Sequence, residues 1–109
     1  MKVDMNETEI GDHLTLLAKS DYPFAEAKGE LESAKILQKR TRSRAFIEAE
    51  GTVAERQAEQ EIAEDVQAAD DNFIRALVKF EKIKAWRETK ERDWECWRSL
   101  EASRRRVIG

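Results

Sequence analysis

The chain has 109 residues, a formal charge of −3 and 39% charged residues, with one cysteine and one proline. This composition excludes an internal disulfide, and the lack of an apolar run of about 18 residues excludes a membrane-spanning helix. Disorder is the competing interpretation of so charged a chain, but three Trp and four Phe recur with Leu, Ile and Ala at helical spacing. We therefore expect one folded, helical, cytoplasmic protein.

A short helix is predicted near the N-terminus. Across residues 7–19, apolar side chains recur three and four positions apart, which places them on one helical face. Pro23 follows, and proline disfavours helix at the residue before it but suits the first turn of the next helix. These signals divide the chain into an acidic N-terminal segment, residues 1–20, and a helical hairpin domain, residues 21–109.

A tight corner between two helices is the clearest local signal in the chain. The second predicted helix extends from about Pro23 to Glu50, where Gly51 provides a stop because glycine accepts the left-handed conformation after a helix end. Thr52 and Glu55 then form the S/T-x-x-E pattern of a capping box, which starts a new helix. A stop followed directly by a start predicts that the chain turns here.

The remaining residues predict two further helices. A short acidic helix is predicted from Val53 to about Glu64. A break is expected near Asp65, and it is weak because no glycine or proline enforces it. The last helix extends from about Gln67 to Arg105. No segment alternates between apolar and polar residues for long enough to form a strand.

These elements predict an all-α fold, a long helical hairpin. Its two long antiparallel helices are joined through the tight Gly51/Thr52 corner, with short helices flanking them. Because such a hairpin has little core per residue, we expect it to form a homo-oligomer, with coiled-coil character. The side chains predicted to pack in the core or between subunits are Leu31, Leu37, Phe73, Leu77, Phe80, Trp86, Trp94 and Trp97.

Positive charge is concentrated in one segment. Residues 35–44, here called the basic band, carry five cations and no acid, whereas residues 45–71, the acidic block, carry a net charge of −8. A cationic band on a helix predicts a polyanion-binding surface, because phosphate neutralisation supplies most nucleic-acid affinity. The alternative is a solvated face that pairs with acids of a neighbouring subunit. In an antiparallel hairpin, Lys79, Lys82 and Lys84 are expected to lie roughly across from Lys39, Arg40 and Arg42. They repel these cations unless water, Glu81 or an external anion lies between them.

The C-terminal stretch interleaves tryptophans with arginine and lysine. Aromatic platforms among cations bind single strands through base stacking, but helical spacing also explains all three tryptophans as a packing stripe, which we favour. The final arginines complement the negative end of the helix dipole without any ligand. The candidate DNA-binding residues are Lys35, Lys39, Arg40, Arg42, Arg44, Arg104, Arg105 and Arg106.

Catalytic and metal-binding patterns are missing from the sequence. His13 and Cys96 each stand alone, whereas a zinc site needs three or four ligands at a recognisable spacing. We interpret His13 as a surface or partly packed residue and Cys96 as a small packing residue. No phosphate-binding loop, dinucleotide fingerprint or nucleophile elbow is present. We therefore expect no enzyme activity, catalytic residue, metal, cofactor or small-molecule substrate.

Two stretches carry a resemblance to known proteins. They read F-A-E-A-K-G-E-L-E-S-A-K-I-L-Q-K-R-T-R-S-R-A-F-I-E-A-E-G-T-V-A-E-R and E-R-D-W-E-C-W-R-S-L-E-A-S-R-R-R. Over roughly residues 22–106 the chain resembles small helical accessory proteins of temperate-bacteriophage recombination modules. In size and layout it also resembles the UvsY-type recombination mediators, which are helical oligomers that bind single-stranded DNA and help load a recombinase onto coated strands.

Two functions follow as expectations. The first is a non-catalytic DNA-recombination accessory protein that binds single-stranded DNA, a recombinase or a single-strand-binding protein, and acts in the host cytoplasm if phage-encoded. The second is a phage-encoded protein-interaction module that inhibits a host nucleic-acid enzyme through its acidic surface. A steep salt dependence of DNA binding is expected only of the first.

Overall fold

The computed structural model describes residues 6–108, which form four α-helices. They are α1 (Glu7–Lys19), α2 (Asp21–Glu48), α3 (Val53–Ile62) and α4 (Glu64–Ile108). The described part of the chain contains no strand, which confirms the all-α fold. None of its helices is long and apolar enough to cross a membrane.

The helix boundaries differ slightly from the predicted ones. α2 begins at Asp21, so Pro23 occupies its first turn, where a missing N–H costs nothing. Only Ser20 separates α1 from α2, and its main-chain carbonyl accepts a hydrogen bond from Phe24 N at 3.0 Å. The break between α3 and α4 lies at Ala63, whose ψ of 133° is extended, and α4 is already helical at the predicted break.

The corner between α2 and α3 is built as predicted. Gly51 has a φ of 108°, a conformation that side chains with a Cβ rarely adopt. Thr52 caps α3, because its hydroxyl accepts a hydrogen bond from Glu55 N at 3.2 Å. Both parts of the sequence signal are therefore confirmed.

The chain divides into two compact units, each described separately. One unit comprises Met1–Phe24 and Lys82–Gly109, of which the structure describes residues 6–24 and 82–108. The other comprises Ala25–Glu81. The predicted domain boundary after residue 20 stays a prediction.

In the unit Ala25–Glu81, α2 and α4 lie antiparallel, as the hairpin prediction required. Lys79 Nζ donates to Glu30 at 3.0 Å, and further along the pair Gln38 Nε2 donates to Asp70 at 2.7 Å. A later residue of α2 thus contacts an earlier residue of α4, as expected of antiparallel helices. The buried side chains of this unit are mostly small and β-branched: Ala27, Leu31, Ala34, Thr41, Ala49, Val66 and Ala69.

The predicted packing residues of this unit have mixed outcomes. Leu31 is buried, and Phe73, Leu77 and Phe80 are half-buried along one stripe of α4. Leu37 is half exposed and does not pack in the core of this unit, and its predicted contact between subunits stays a prediction. The buried positions of α2 recur at 27, 31, 34 and 41, so residue 37 lies at the edge of the stripe.

In the other unit, α1 packs against the C-terminal half of α4. His13 is buried, and its Nε2 donates a hydrogen bond to the main-chain carbonyl of Lys90 at 2.5 Å. The interpretation of His13 as a surface or partly packed residue is therefore wrong, because its position on α1 points it at α4. Ile10 and Asp93 are the other buried side chains of this unit among the described residues.

The tryptophans of this unit divide into a stacked pair and an exposed residue. Trp94 and Trp97 are half-buried, with ring centroids 5.4 Å apart and planes inclined by 19°. Trp86 is exposed, and Lys90 Nζ lies 5.7 Å from its ring centroid. Two of the three tryptophans therefore pack within this unit, and a contact of Trp86 between subunits stays a prediction.

Candidate nucleic-acid interface

Three cations of the basic band share one solvent-facing side of α2. Lys39, Arg40 and Arg44 are exposed, and none of them makes an ion pair or hydrogen bond with another described residue. Two exposed isoleucines, Ile36 and Ile47, lie on the same side, one helical turn before and one after the cations. We call these five residues, together with Ser43 between them, the basic face.

Helical geometry sets the dimensions of the basic face. From Lys39 to Arg44 the helix rises about 7.5 Å, and from Ile36 to Ile47 about 16 Å. Glu48 lies on the same side, one turn after Arg44, but makes no ion pair with a described residue, so these cations keep most of their attraction for an external anion.

Arg42 belongs to the basic band by sequence but not to the basic face. Its guanidinium donates to Glu61 at 2.5 Å and to Asp70 at 2.7 Å, and its side chain is 30% exposed. Gln38 donates to the second carboxylate oxygen of Asp70, so that carboxylate joins two side chains of α2 to α4. Arg42 is one turn after Lys39 on α2, but its contacts with Glu61 and Asp70 turn its guanidinium away from the basic face.

The remaining cation of the band, Lys35, is exposed and pairs with Glu32 at 3.2 Å one turn earlier on the same helix. Such an exposed pair contributes little to stability, roughly 0.5 kcal/mol or less, and yields readily to a competing anion. Lys35 therefore remains accessible to a ligand, at the edge of the basic face.

The expected repulsion between Lys79 and the band is absent. Lys79 pairs with Glu30, well before the band on α2, whereas Arg42 meets the acidic block through Glu61 and Asp70. The reason is the length of the corner. α3 takes up part of the chain between the long helices, so the first turns of α4, which are acidic, lie beside the band.

The terminal arginines lie in the other unit, on the last turns of α4. Arg104, Arg105 and Arg106 are all exposed. Arg104 pairs with Glu101 at 2.8 Å, one turn earlier. Arg105 and Arg106 make no ion pair with any described residue, so they remain candidates for contacts with a polyanion.

The aromatic side chains offer little platform for bases. Trp94 and Trp97 present one ring face to each other, and Lys90 lies over Trp86. This favours packing over base stacking for the stacked pair. No group of three or more His, Cys, Asp or Glu side chains within residues 6–108 is placed to hold a metal ion.

Comparisons with known proteins do not narrow the function. No family model, no curated protein sequence and no solved structure matches the chain. The sequence located the basic band but did not show which of its cations face solvent and which face α4. It also did not single out the two isoleucines of the basic face. Their signal was present in the sequence, since Ile36 and Ile47 are eleven positions apart and share a face with the cations.

Proposed function

We propose that the chain is a non-catalytic DNA-recombination accessory protein that binds single-stranded DNA through the basic face of α2. The observation that carries this proposal is the exposure of Lys39, Arg40 and Arg44 without any carboxylate partner among the described residues. Phosphate contacts supply most of the affinity of such proteins, and three unpaired cations on one helical side supply phosphate contacts. The resemblance to recombination mediators supports DNA as the polyanion and a recombinase or single-strand-binding protein as the partner.

Self-association through this same face is less favourable. In a twofold symmetric contact each surface meets a copy of itself, so the cations of one subunit would approach the cations of the other. Like charges placed opposite each other in an interface destabilise it. A homo-oligomer that forms through another surface would leave the basic face available to DNA.

The exposed isoleucines support a single strand over a duplex. Unstacked bases carry apolar surface that can pack on aliphatic side chains, whereas a duplex presents phosphates outward and keeps its bases stacked. Ile36 and Ile47 lie on the same side of α2 as the cations, so one strand can use both kinds of contact. A preference for single-stranded over duplex DNA of equal length is therefore part of the proposal.

The test is fluorescence anisotropy with a labelled 20-nucleotide oligonucleotide at 50 mM salt. Reversal of two charges, Lys39→Glu with Arg40→Glu, should weaken binding by at least tenfold, because two phosphate contacts become repulsions. The matched control is Arg75→Glu with Lys82→Glu, which changes the net charge equally at exposed positions of α4. Equal losses in the two double variants, or no binding by the wild type, would contradict the proposal.

A second candidate function uses the acidic block. Five of its carboxylates, Glu48, Glu50, Glu59, Glu64 and Asp71, are exposed and make no ion pair with a described residue. An acidic surface of this kind can occupy the nucleic-acid site of another protein, as expected of an inhibitor of a host nucleic-acid enzyme.

Affinity purification from nuclease-treated lysate separates the two functions. An inhibitor would retain one host nuclease or helicase, lose it when Glu48, Glu50 and Glu59 become Gln, and retain it in the Lys39/Arg40 variant. The opposite dependence on the two variants would assign the function to the basic face.

A further inference from the structure

α3 is attached to α2 by polar contacts. Gln60 Nε2 donates to the main-chain carbonyl of Arg42 at 2.8 Å, and the Glu61 carboxylate accepts from the Arg42 guanidinium. The guanidinium of Arg56 lies 5.9 Å from the ring centroid of Phe46. The side of α3 that faces α2 is therefore formed by an arginine and a glutamine.

Apolar burial contributes little to this attachment. None of the residues of α3 is buried, and its two large aliphatic side chains, Val53 and Ile62, are 63% and 72% exposed. Most helical stability in proteins comes from packing of an apolar face, and an isolated helix of ten residues is marginal in water. α3 thus has the properties of a segment that opens locally at low cost.

Two further features favour detachment of α3. The buried Nε of Arg56 has no hydrogen-bond partner, so docking leaves one charged donor unsatisfied. The helix is also bounded by non-helical residues at both ends, Gly51 with positive φ and Ala63 with extended backbone. Such element-terminal residues can absorb the backbone rotation of a hinge motion.

Glu61, the acid that attaches α3 to Arg42, binds the guanidinium as a phosphate group could. Glu61 binds the guanidinium of Arg42, and guanidinium recognises carboxylate and phosphate with the same fork geometry. Arg42 lies one turn after Lys39 of the basic face, and residues three apart are neighbours on a helix surface. A polyanion bound to Lys39 therefore lies close to an arginine whose more exposed partner is the Glu61 carboxylate.

We propose that α3 is an acidic flap that competes with the nucleic-acid backbone for Arg42. When a strand occupies the basic face, a phosphate replaces Glu61, α3 detaches from α2, and Arg42 becomes a fourth phosphate contact. Asp70 stays on Arg42 from α4 and holds the side chain in place. This inference rests on the proposed DNA-binding function and adds a competing segment to it.

Competition has a thermodynamic consequence. If the open form is a minor state of the free protein, the measured affinity is the intrinsic affinity reduced by the fraction that is open. Substitutions that weaken the hold of Glu61 on Arg42 should then tighten DNA binding. Coupling is reciprocal, so bound DNA must in turn loosen α3.

The decisive comparison is Glu61→Gln against Glu59→Gln. Both remove one negative charge from an exposed position of α3, but only the first removes a partner of Arg42. We expect Glu61→Gln to tighten single-stranded DNA binding at least about fivefold relative to Glu59→Gln, the lower end of typical coupling factors. Equal affinities for the two variants would overturn the proposal.

Hydrogen exchange of the α3 amides tests the flap independently of affinity. In the free protein, exchange from Arg56 to Ile62 should be faster in Glu61→Gln than in Glu59→Gln, and in the wild type it should accelerate on addition of DNA. Slower or unchanged exchange with bound DNA would overturn the proposal. If the wild type binds no DNA, the proposed function fails, while exchange in the two free variants still decides whether Glu61 holds α3 in place.

Discussion

The guanidinium of Arg87 on α4 lies over the ring of Phe24 on α2, with its central carbon 4.7 Å from the ring centroid. The same group donates to Ser20 Oγ at 2.8 Å and to Asp21 at 2.7 Å. The Ser20 hydroxyl in turn donates a hydrogen bond to the main-chain carbonyl of Leu17 at the end of α1. One arginine thereby fixes the single-residue junction between α1 and α2.

Replacement of Arg87 by Lys should destabilise the protein. Lysine keeps the charge but cannot stack on Phe24 and donate to two oxygens at once, so we expect a loss of about 1–2 kcal/mol in the free energy of unfolding. Urea denaturation followed by circular dichroism measures it. Arg92→Lys, at an exposed position of the same helix, is the control and should stay within about 0.5 kcal/mol of the wild type. A loss no larger than that of the control would show that the junction does not depend on the guanidinium.

Two glycine substitutions should have opposite effects. At Gly51, alanine would place a Cβ against the Glu55 carboxylate in a left-handed conformation, which we expect to cost about 1–2 kcal/mol. At Gly29, within α2, nothing lies within 4 Å of an added Cβ, and alanine should stabilise the helix by about 0.5–1 kcal/mol. Thermal unfolding of both variants checks the signs. A destabilised Gly29→Ala would mean that this part of α2 is not helical in solution.

Replacement of the buried His13 by Ala should destabilise the unit that contains α1. The variant loses packed volume and the hydrogen bond to the carbonyl of Lys90, a combined cost of about 2 kcal/mol. Thr15→Ala removes a hydroxyl that bonds only within α1, and it is the matched control on the same helix. Chemical denaturation monitored by tryptophan fluorescence reports this unit directly, since Trp94 and Trp97 lie in it. Similar stabilities for the two variants would contradict the buried position of His13.

The salt dependence of DNA binding should report the number of phosphate contacts. Four phosphate contacts, three from the unpaired cations of the basic face and one from Arg42, predict a slope of about −2.8 for the logarithm of the association constant against the logarithm of salt concentration, at about 0.7 per phosphate on single strands. Neutralisation of Arg44 alone, as Arg44→Gln, should make the slope less negative by about 0.7. Anisotropy titrations between 50 and 200 mM salt measure both values. An unchanged slope in the variant would remove Arg44 from the interface.

The terminal arginines provide a separate measurement in the same titration. If Arg105 and Arg106 assist in binding, their joint replacement by Gln should lower the slope by up to about 1.4, two single-strand contacts. If they only complement the dipole at the end of α4, the slope should stay constant while the helix frays slightly. Circular dichroism of the same variant distinguishes fraying from loss of contacts.

Local signals in the chain were sufficient for the helices and the corner. Gly51 and Thr52 act through their own backbone and their nearest neighbours. The end of α2 and the N-cap of α3 can therefore be predicted from the sequence without any tertiary information. The apolar stripe of α4 is equally local, because a period of 3.6 places Phe73, Leu77 and Phe80 on one side of any helix that contains them. The concentration of cations in residues 35–44 is likewise a property of the chain itself.

Which way those cations face was decided only by packing. The length of α3 sets which turn of α4 lies beside the band, and that register turns Arg42 inward to Asp70 while Lys39, Arg40 and Arg44 remain in solvent. His13 was likewise unpredictable, because a lone histidine carries no periodic signal and its partner on α4 is 77 residues away. Spacing along a helix determines which residues share a side, whereas contact with a second helix determines which of those sides is left for a ligand.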